Sequence, residues 1–165
     1  MDRRTDRLIL RRPRLADASA LFSFLGDPEA MRHTHVDATE RLVRRRLAAH
    51  EWRRRTDGFG PWTVEMADDA RVVGWGGLYV DPFDPGWGPE VAYFFHPDVW
   101  GRGLAGELVS ASIDDADHRL GLPELFAFAM PKNGASRRVL ERAGFVAVRH
   151  VPEMQRDLFR RPRFG

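Results

Sequence analysis

The sequence contains no cysteine, and this absence excludes several kinds of site at once. Disulfides, zinc–thiolate sites, iron–sulfur clusters and thiol nucleophiles all need cysteine side chains. We predict no metal site from the remaining residues. Any chemistry must therefore use oxygen or nitrogen groups, or a borrowed cofactor.

Long apolar runs are missing as well. No segment approaches the ~20 apolar residues that span a membrane. The charged residues 1–7 are not followed by an apolar stretch of signal-peptide length. We therefore expect a cytoplasmic protein that has no membrane partner.

Lysine is almost absent, since Lys132 is the only lysine among 26 basic residues. The arginines fall in runs over 44–46, 53–55 and 160–163, which would suit a nucleic-acid phosphate backbone. However, 24 acidic residues leave a formal net charge of only +2, so we favour solvated helix faces and a frayed tail. An arginine-rich nucleic-acid-binding module is therefore the least favoured alternative.

The length of 165 residues suits one domain, because domains commonly hold roughly 100 to 200 residues. Apolar residues make up 43% and charged residues 30%, as in a soluble globular chain. No internal repeat, low-complexity linker or shift in composition marks a boundary. We predict a single domain over residues 1–165.

The apolar pattern predicts an α+β fold, with antiparallel strands first and a βαβαβ half after them. Asp17 is expected to cap the first helix, while Gly26 stops it. The predicted strands are 8–11, 62–66, 72–80, 90–95, 125–130 and 145–150, and the predicted helices are 18–25, 39–55, 105–120 and 133–143.

The most informative segment is the glycine-rich stretch Trp100–Gly106, which lies between a strand and a long helix. Its glycines allow close approach to backbone N–H groups at a helix N-terminus, so a pyrophosphate would fit there. Gly101, Gly103 and Gly106 also match the Rossmann dinucleotide fingerprint. The residues between Phe95 and the glycines, and a next strand without an acidic end, argue against that fold. Tight helix–sheet packing is the simplest other role.

A second motif lies downstream, where Asn133-x-x-Ser136 opens a helix that ends in Gly144-Phe145. With this motif, the chain resembles the GNAT acetyltransferase superfamily, and in particular its RimJ/RimL-like branch of ribosomal-protein N-terminal acetyltransferases. The other motifs that carry the resemblance are Thr5–Arg11, Asp27–Met31, His96-Pro97 and Trp100–Ala105, in the order of the family.

The resemblance implies a mixed, mostly antiparallel central sheet with two splayed parallel strands and about four flanking helices. Acetyl-CoA would bind in that opening as the acetyl donor, with its pantetheine arm near Phe95 and Asn133 and its pyrophosphate on the glycine turn. Trp100 departs from the Gln or Arg found at this place in much of the superfamily. The residues implied in CoA binding are Phe95, Trp100, Gly101, Arg102, Gly103, Leu104, Ala105, Asn133 and Ser136. A helix N-cap is an equally sound role for Asn133.

The implied reaction is direct acetyl transfer to a primary amine within a ternary complex. Glu90 matches a glutamate of the branch that is a candidate general base, and Ser136 matches a serine close to the thiol. A surface glutamate at a strand start and a helix-surface serine are the plain alternatives. Many members use a tyrosine as general acid near Asn133. That feature is missing here, since Tyr79 and Tyr93 both lie in the antiparallel strands predicted over 72–80 and 90–95.

The acceptor amine is not fixed by the resemblance, although loop 81–89 and segment 31–36 would line its side of the site. His33, His35 and His96 are further candidate bases for which exposed or capping roles are favoured. Near pH 7.4, deprotonation costs under about 1 kcal/mol for an α-amine of pKa ~8 and about 4 kcal/mol for a lysine. An α-amine, such as that of a protein N-terminus, or another amine of low pKa is thus favoured over lysine, and small molecules such as amino acids, polyamines or drug amines remain open. The main alternative function is that of a catalytically inactive acyl-CoA sensor. The oligomeric state is left open, with a homodimer as one alternative.

Overall fold

The computed structural model of the protein describes residues 2–163. Its strands are β1 (Arg3–Arg4), β2 (Leu8–Arg11), β3 (Trp62–Met66), β4 (Val72–Val80), β5 (Pro89–Phe95), β6 (Glu124–Ala129), β7 (Val146–Val151) and β8 (Arg156–Pro162). Its α-helices are α1 (Ala18–Leu25), α2 (Glu40–Asp57), α3 (Leu104–Asp114) and α4 (Gly134–Arg142). Met1, Phe164 and Gly165, which the predicted domain includes, lie outside the described residues.

These strands form one sheet in the order β1-β2-β3-β4-β5-β6-β8-β7. Neighbouring strands are antiparallel throughout, except that β5 and β6 run parallel. The predicted α+β fold, a mixed and mostly antiparallel sheet with about four helices, is therefore confirmed.

The second half of the sheet differs from the predicted βαβαβ arrangement, because β8 lies between β6 and β7. The expectation of a frayed tail over 160–163 is wrong. Leu158 and Phe159 are buried, and their burial favours docking of this arginine-rich strand in the sheet. Arg161 is 7% exposed and donates from its two terminal nitrogens to Asp117 at 3.1 and 2.8 Å.

Two groups of helices cover the sheet. Helices α1 and α2 pack around Trp75 of β4, with Phe24 and Val43 in the same cluster. Helices α3 and α4 contribute Val109 and Leu140 to a separate cluster with β4, β5, β6 and β8. Within residues 2–163, none of the helices combines the length and apolarity needed to cross a bilayer.

Capping residues mark the start of α2 and the ends of α2 and α3. Thr39 Oγ1 accepts the N–H of Leu42 at 3.3 Å, and Gly58, at φ +79°, ends α2. Helix α3 continues as a π-helical turn over Asp115–Leu120, which Gly121 ends at φ +64°. Left-handed glycines are a common way to stop a helix.

Asp17 does not cap α1, so this prediction is wrong. Its carboxylate makes no hydrogen bond to the N–H groups at the start of α1. Instead, it accepts two N–H groups of Arg11, each at 2.8 Å, and the hydroxyl of Thr63 at 2.9 Å. A bidentate, charge-assisted pair is stronger than a single capping bond, which explains the preference.

Candidate active site

A cavity opens where the two parallel strands separate. Strands β5 and β6 pair at one register position, Glu90 opposite Phe126, and diverge beyond it. The cavity has a volume of about 490 Å³ and is bordered by β5, the turn before α3, the end of β6, the start of α4, and Arg156. The predicted CoA-binding residues and both predicted catalytic residues all line it.

The turn before α3 holds two glycines in the left-handed region, Gly101 at φ +74° and Gly103 at φ +77°. A side chain at Gly103 would meet only Nη2 of Arg7, 3.7 Å away, so the space above the turn is open. Arg7 also steadies the turn, because its Nη1 donates to the carbonyl of Arg102 at 2.6 Å and its Nε to Glu107 at 2.8 Å. An anion can therefore approach the N-terminus of α3 through backbone that is already held in place.

Trp100, the residue that departs from much of the superfamily, ties this turn to the sheet. Its Nε1 donates to the carbonyl oxygen of Phe95 at 2.8 Å. The guanidinium of Arg32 lies over its ring, 5.5 Å from the centroid. A pantetheine arm that paired with the Phe95 carbonyl would compete with this indole.

Asn133 is the N-cap of α4, as its simpler interpretation predicts. Its Oδ1 accepts the N–H of Ser136 at 3.2 Å. Asn133 also lines the cavity. Because the cap uses only the side-chain oxygen, the amide nitrogen is left as a donor for a bound molecule.

Glu90 is a buried carboxyl group in the wall of the cavity. It lies opposite Tyr79 on β4 and is 6% exposed, so its interpretation as a surface glutamate is wrong. No residue of the described chain hydrogen-bonds its carboxylate. Burial, followed by the charges of Asp81 and Asp84, raises the pKa of Glu90 to about 8, while Arg156 opposes the rise. Such a group can accept a proton near neutral pH.

Tyr93 reaches from β5 to the first turn of α4, although the sequence placed it away from that helix. Its Oη lies 2.8 Å from Ser136 Oγ and donates to the carbonyl of Ser136 at 3.1 Å. The expectation that no tyrosine lies near Asn133 is therefore wrong. Burial raises the pKa of Tyr93 to about 12, so the phenol keeps its proton.

Glu90 and the Tyr93–Ser136 pair belong to different sides of β5. Successive residues of a strand point to opposite faces, so the odd step from Glu90 to Tyr93 separates their side chains. Tyr93 packs against the clusters of α3 and α4, whereas its neighbour Phe94 packs against Trp75 on the side of α1 and α2. A thioester placed between β5 and β6 would thus have a carboxyl group on one side and hydroxyl groups on the other.

The three histidines have the modest roles expected of them. His96 Nδ1 accepts the N–H of Asp98 at 3.1 Å, which is a cap. His35 is exposed, and its Nε2 lies 3.6 Å from Asp37. His33 lines the cavity, where its Nε2 accepts from Arg32 at 3.2 Å.

The two segments that the sequence analysis expects on the acceptor side contribute unequally to the cavity. Segment 31–36 contributes Arg32, His33 and Thr34, but the loop over 81–89 contributes only Asp81. Phe83 is 59% exposed and lies outside the lining. The sequence analysis missed Arg156, because it predicted no strand after 145–150 and a frayed tail over 160–163. The neighbouring apolar residues Leu158 and Phe159 were the signal that could have indicated a strand there.

The arginine runs are largely paired with acidic side chains. Arg46 donates to Asp37 at 2.8 and 3.0 Å, and Arg53 donates to Asp57 at 2.7 Å. Arg160 pairs with Glu124 on the outside of the sheet. These pairs neutralise the charge that a nucleic-acid backbone would need, which argues against the nucleic-acid module.

A splayed parallel pair, an open glycine turn at a helix N-terminus and a buried carboxyl group together suit a CoA-dependent acyltransferase. The sequence profile of the acetyltransferase (GNAT) domain matches residues 7–146. The chain therefore belongs to the GNAT acetyltransferase family, whose acetyl donor is acetyl-CoA.

Known proteins agree with this membership. The uncharacterized N-acetyltransferase YoaA of Bacillus subtilis is 27% identical over 147 residues, which are 86% of this chain and 80% of YoaA. A crystallised acetyltransferase from Agrobacterium tumefaciens has a TM-score of 0.82 at 24% identity, over 97% of this chain and 93% of its own. The ribosomal L7/L12 α-N-protein acetyltransferase RimL, solved with CoA, has a TM-score of 0.80 at 13% identity, over 96% of both chains.

Proposed function

We propose that the protein is a single-domain, RimJ/RimL-like N-acetyltransferase over residues 1–165 that acts in the cytoplasm. It transfers the acetyl group of acetyl-CoA directly to a primary amine within a ternary complex. The amine belongs to a protein N-terminus or to a small molecule. The observation that carries the proposal is the buried Glu90 carboxyl group in the cavity between the diverging strands.

Glu90 is the proposed general base. Its pKa of about 8 is close to the ~8 of an α-amine, so proton transfer between the two groups is nearly balanced in free energy. A lysine, with a pKa of ~10.4, would hold its proton by about 3 kcal/mol more. The match therefore favours an α-amine or another amine of low pKa as the acceptor.

The turn from Trp100 to Ala105 is the proposed site for the pyrophosphate of CoA. The open space above Gly103 and the fixed backbone at Arg102 support this role. Asn133 would hold the pantetheine with the amide nitrogen that its capping bond leaves available. Bound here, acetyl-CoA supplies the activated acetyl group.

Ser136 is the proposed hydrogen-bond donor to the departing sulfur. In the reaction the amine nitrogen bonds to the acetyl carbon, the carbon–sulfur bond breaks, and the amine proton passes to Glu90. A thiol of pKa ~8.5 leaves readily near neutral pH, so a hydrogen bond to the thiolate suffices. The thiolate later takes a proton from solvent.

The test is an acetyl-CoA-dependent thiol-release assay with amines, amino acids and N-terminal peptides. Wild type should turn over at least one class, and Glu90→Gln should lower turnover by ~10²-fold or more while acetyl-CoA affinity is kept. Glu141→Gln is the matched control, because Glu141 is exposed on α4 and outside the cavity. Tight CoA binding without turnover of any amine would overturn the proposal in favour of the inactive sensor.

A further inference from the structure

The acceptor end of the cavity contains a guanidinium that forms no ion pair with an acidic side chain of residues 2–163. Arg156 is the first residue of β8 and lines the cavity. It follows a tight turn in which Gln155, at φ +54°, accepts the left-handed conformation that leads β7 directly into β8. The turn thereby fixes where Arg156 leaves the sheet.

Arg156 has donors to spare. Its Nη2 donates to Thr34 Oγ1 at 3.2 Å, and this is its one hydrogen bond within residues 2–163. A guanidinium carries five N–H donors. No carboxylate of the described residues forms an ion pair with it. A half-buried cation with unused donors is suited to an anionic oxygen from a bound molecule.

The other arginines around the cavity differ from Arg156. Arg32 is paired with Glu29 and covers the ring of Trp100. Arg102 belongs to the turn before α3, the place proposed for the phosphates of CoA. Arg156 is therefore the guanidinium available to the acceptor.

Opposite charge lies close to Arg156. Glu90 and Asp81 line the same cavity as Arg156, and the charges of both Asp81 and Arg156 act on Glu90. The carboxylate of Asp81 attracts an ammonium group, Glu90 can take a proton from that group, and the guanidinium attracts an oxyanion. This arrangement is complementary to a molecule that carries both.

We propose that the acceptor is a small amine that carries a carboxylate, in the manner of a free amino acid, with its carboxylate bound by Arg156 and its amine at Glu90. The inference rests on the proposed acetyltransferase function and narrows its acceptor. The Arg156–Thr34 bond joins β8 to the segment after α1 beside the cavity. We expect that bridge to restrict the approach of a polypeptide more than that of a small molecule.

The test compares free amino acids with their own amides, which lack the carboxylate. Each pair is assayed with wild type, Arg156→Gln and Arg156→Lys. The amine of an amino acid and the amine of its amide differ in pKa. For each protein we therefore take the ratio of kcat/KM for the acid to kcat/KM for the amide. Comparing this ratio between variant and wild type cancels the effect of the pKa difference. Arg160→Gln is the matched control, since Arg160 lies on the same strand but is exposed and outside the cavity.

Arg156→Gln should lower kcat/KM for the acids by about 10- to 100-fold, the share of a charge-assisted hydrogen bond, mainly through KM. The amides should change by less than about threefold, and Arg156→Lys should keep part of the preference for acids. Arg160→Gln should match wild type for both. Unfolding temperature and CoA affinity show that each variant is folded.

Equal losses for acids and amides in Arg156→Gln would overturn the inference and leave the acetyltransferase proposal standing. So would a neutral N-terminal peptide that is acetylated as efficiently as the best amino acid and is insensitive to Arg156→Gln. Absence of turnover with every amine would overturn the proposed function, and the inference with it.

Discussion

The phenol oxygen of Tyr93 lies 2.8 Å from the hydroxyl oxygen of Ser136, which joins the middle of β5 to the first turn of α4. When Tyr93 donates this bond, the serine proton is free to point into the cavity. When Tyr93 donates to the Ser136 carbonyl instead, the serine proton is drawn toward the phenol. We therefore expect Tyr93 to be a positioning residue that sets the direction of the Ser136 hydroxyl.

The Tyr93→Phe variant tests this relationship. We expect kcat to fall by about tenfold, the share of one hydrogen bond, while the KM for acetyl-CoA changes little. The reason is that the ring and its packing remain and only the hydroxyl is lost. Ser136→Ala should fall at least as far, and the double variant no further than Ser136→Ala. Additive losses would show that Tyr93 acts independently of Ser136.

Glu90 should impose its own pH dependence on turnover. Since the base must be deprotonated to act and the pKa of Glu90 is about 8, kcat should rise with pH below about 8 and level off above it. Glu90→Gln lacks this group, so any rise of its kcat with pH reports the amine of the acceptor alone. The loss of kcat in Glu90→Gln should shrink as pH passes the pKa of ~8 of an α-amine, because the acceptor then arrives neutral. Identical profiles for variant and wild type would remove Glu90 from the mechanism.

The same burial makes Glu90 a source of instability. Folding raises the pKa of Glu90 from 4.5 to about 8, so between these values the folded state binds more protons and stability falls as pH rises. Glu90→Gln cannot ionise and should therefore unfold at a higher temperature than wild type. The gain should grow from about pH 4.5 to 8 and stay constant above.

Thermal unfolding over that pH range provides the measurement, with Glu141→Gln as the control. Burial lowers the pKa of His50 to about 3, which weakens the fold as pH drops below 6.5. Glu90→Gln and wild type both keep His50, so the contribution of His50 to stability cancels in the difference between their unfolding temperatures. A gain that is independent of pH would mean that the Glu90 carboxyl group does not titrate in this window.

Gly103→Val should weaken CoA binding by an order of magnitude or more, as measured by calorimetry. A β-branched residue is strained at φ +77° and would obstruct the approach to the turn. Gly58→Val is the matched control, because Gly58 has φ +79° with open space around it but lies at the end of α2, away from the cavity. Equal CoA affinity in folded Gly103→Val and in wild type would remove the turn from the binding site.

Much of the fold follows from local pattern. Residues 8–11, 62–66 and 72–80 were predicted as strands with the bounds that the structure has, because branched and aromatic residues fall between clear turn signals. Strand β8 was missed, since arginines surround its apolar pair and their partners come from distant segments, as with Arg161 and Asp117. Long-range ion pairing leaves no local trace in the sequence.

The site was predictable in the parts that motifs carry. The glycine turn can be recognised in the sequence because close approach to backbone N–H groups requires glycine. Asn133 can be recognised because asparagine is a common N-cap residue. The burial of Glu90 and the approach of Tyr93 to α4 depend on how strands and helices stack. Strand alternation would have placed Tyr93 on the opposite face from Glu90, but not against a particular helix.

The insertion of β8 between β6 and β7 has a consequence for the order of assembly. Strand β7 precedes β8 in the chain, yet it joins the sheet only through β8. During synthesis β7 must therefore wait until β8 has left the ribosome, and Arg156 reaches the cavity in that same step. Because the turn before α3 and Glu90 precede this segment in the chain, we expect the proposed site for CoA to form before the proposed site for the acceptor.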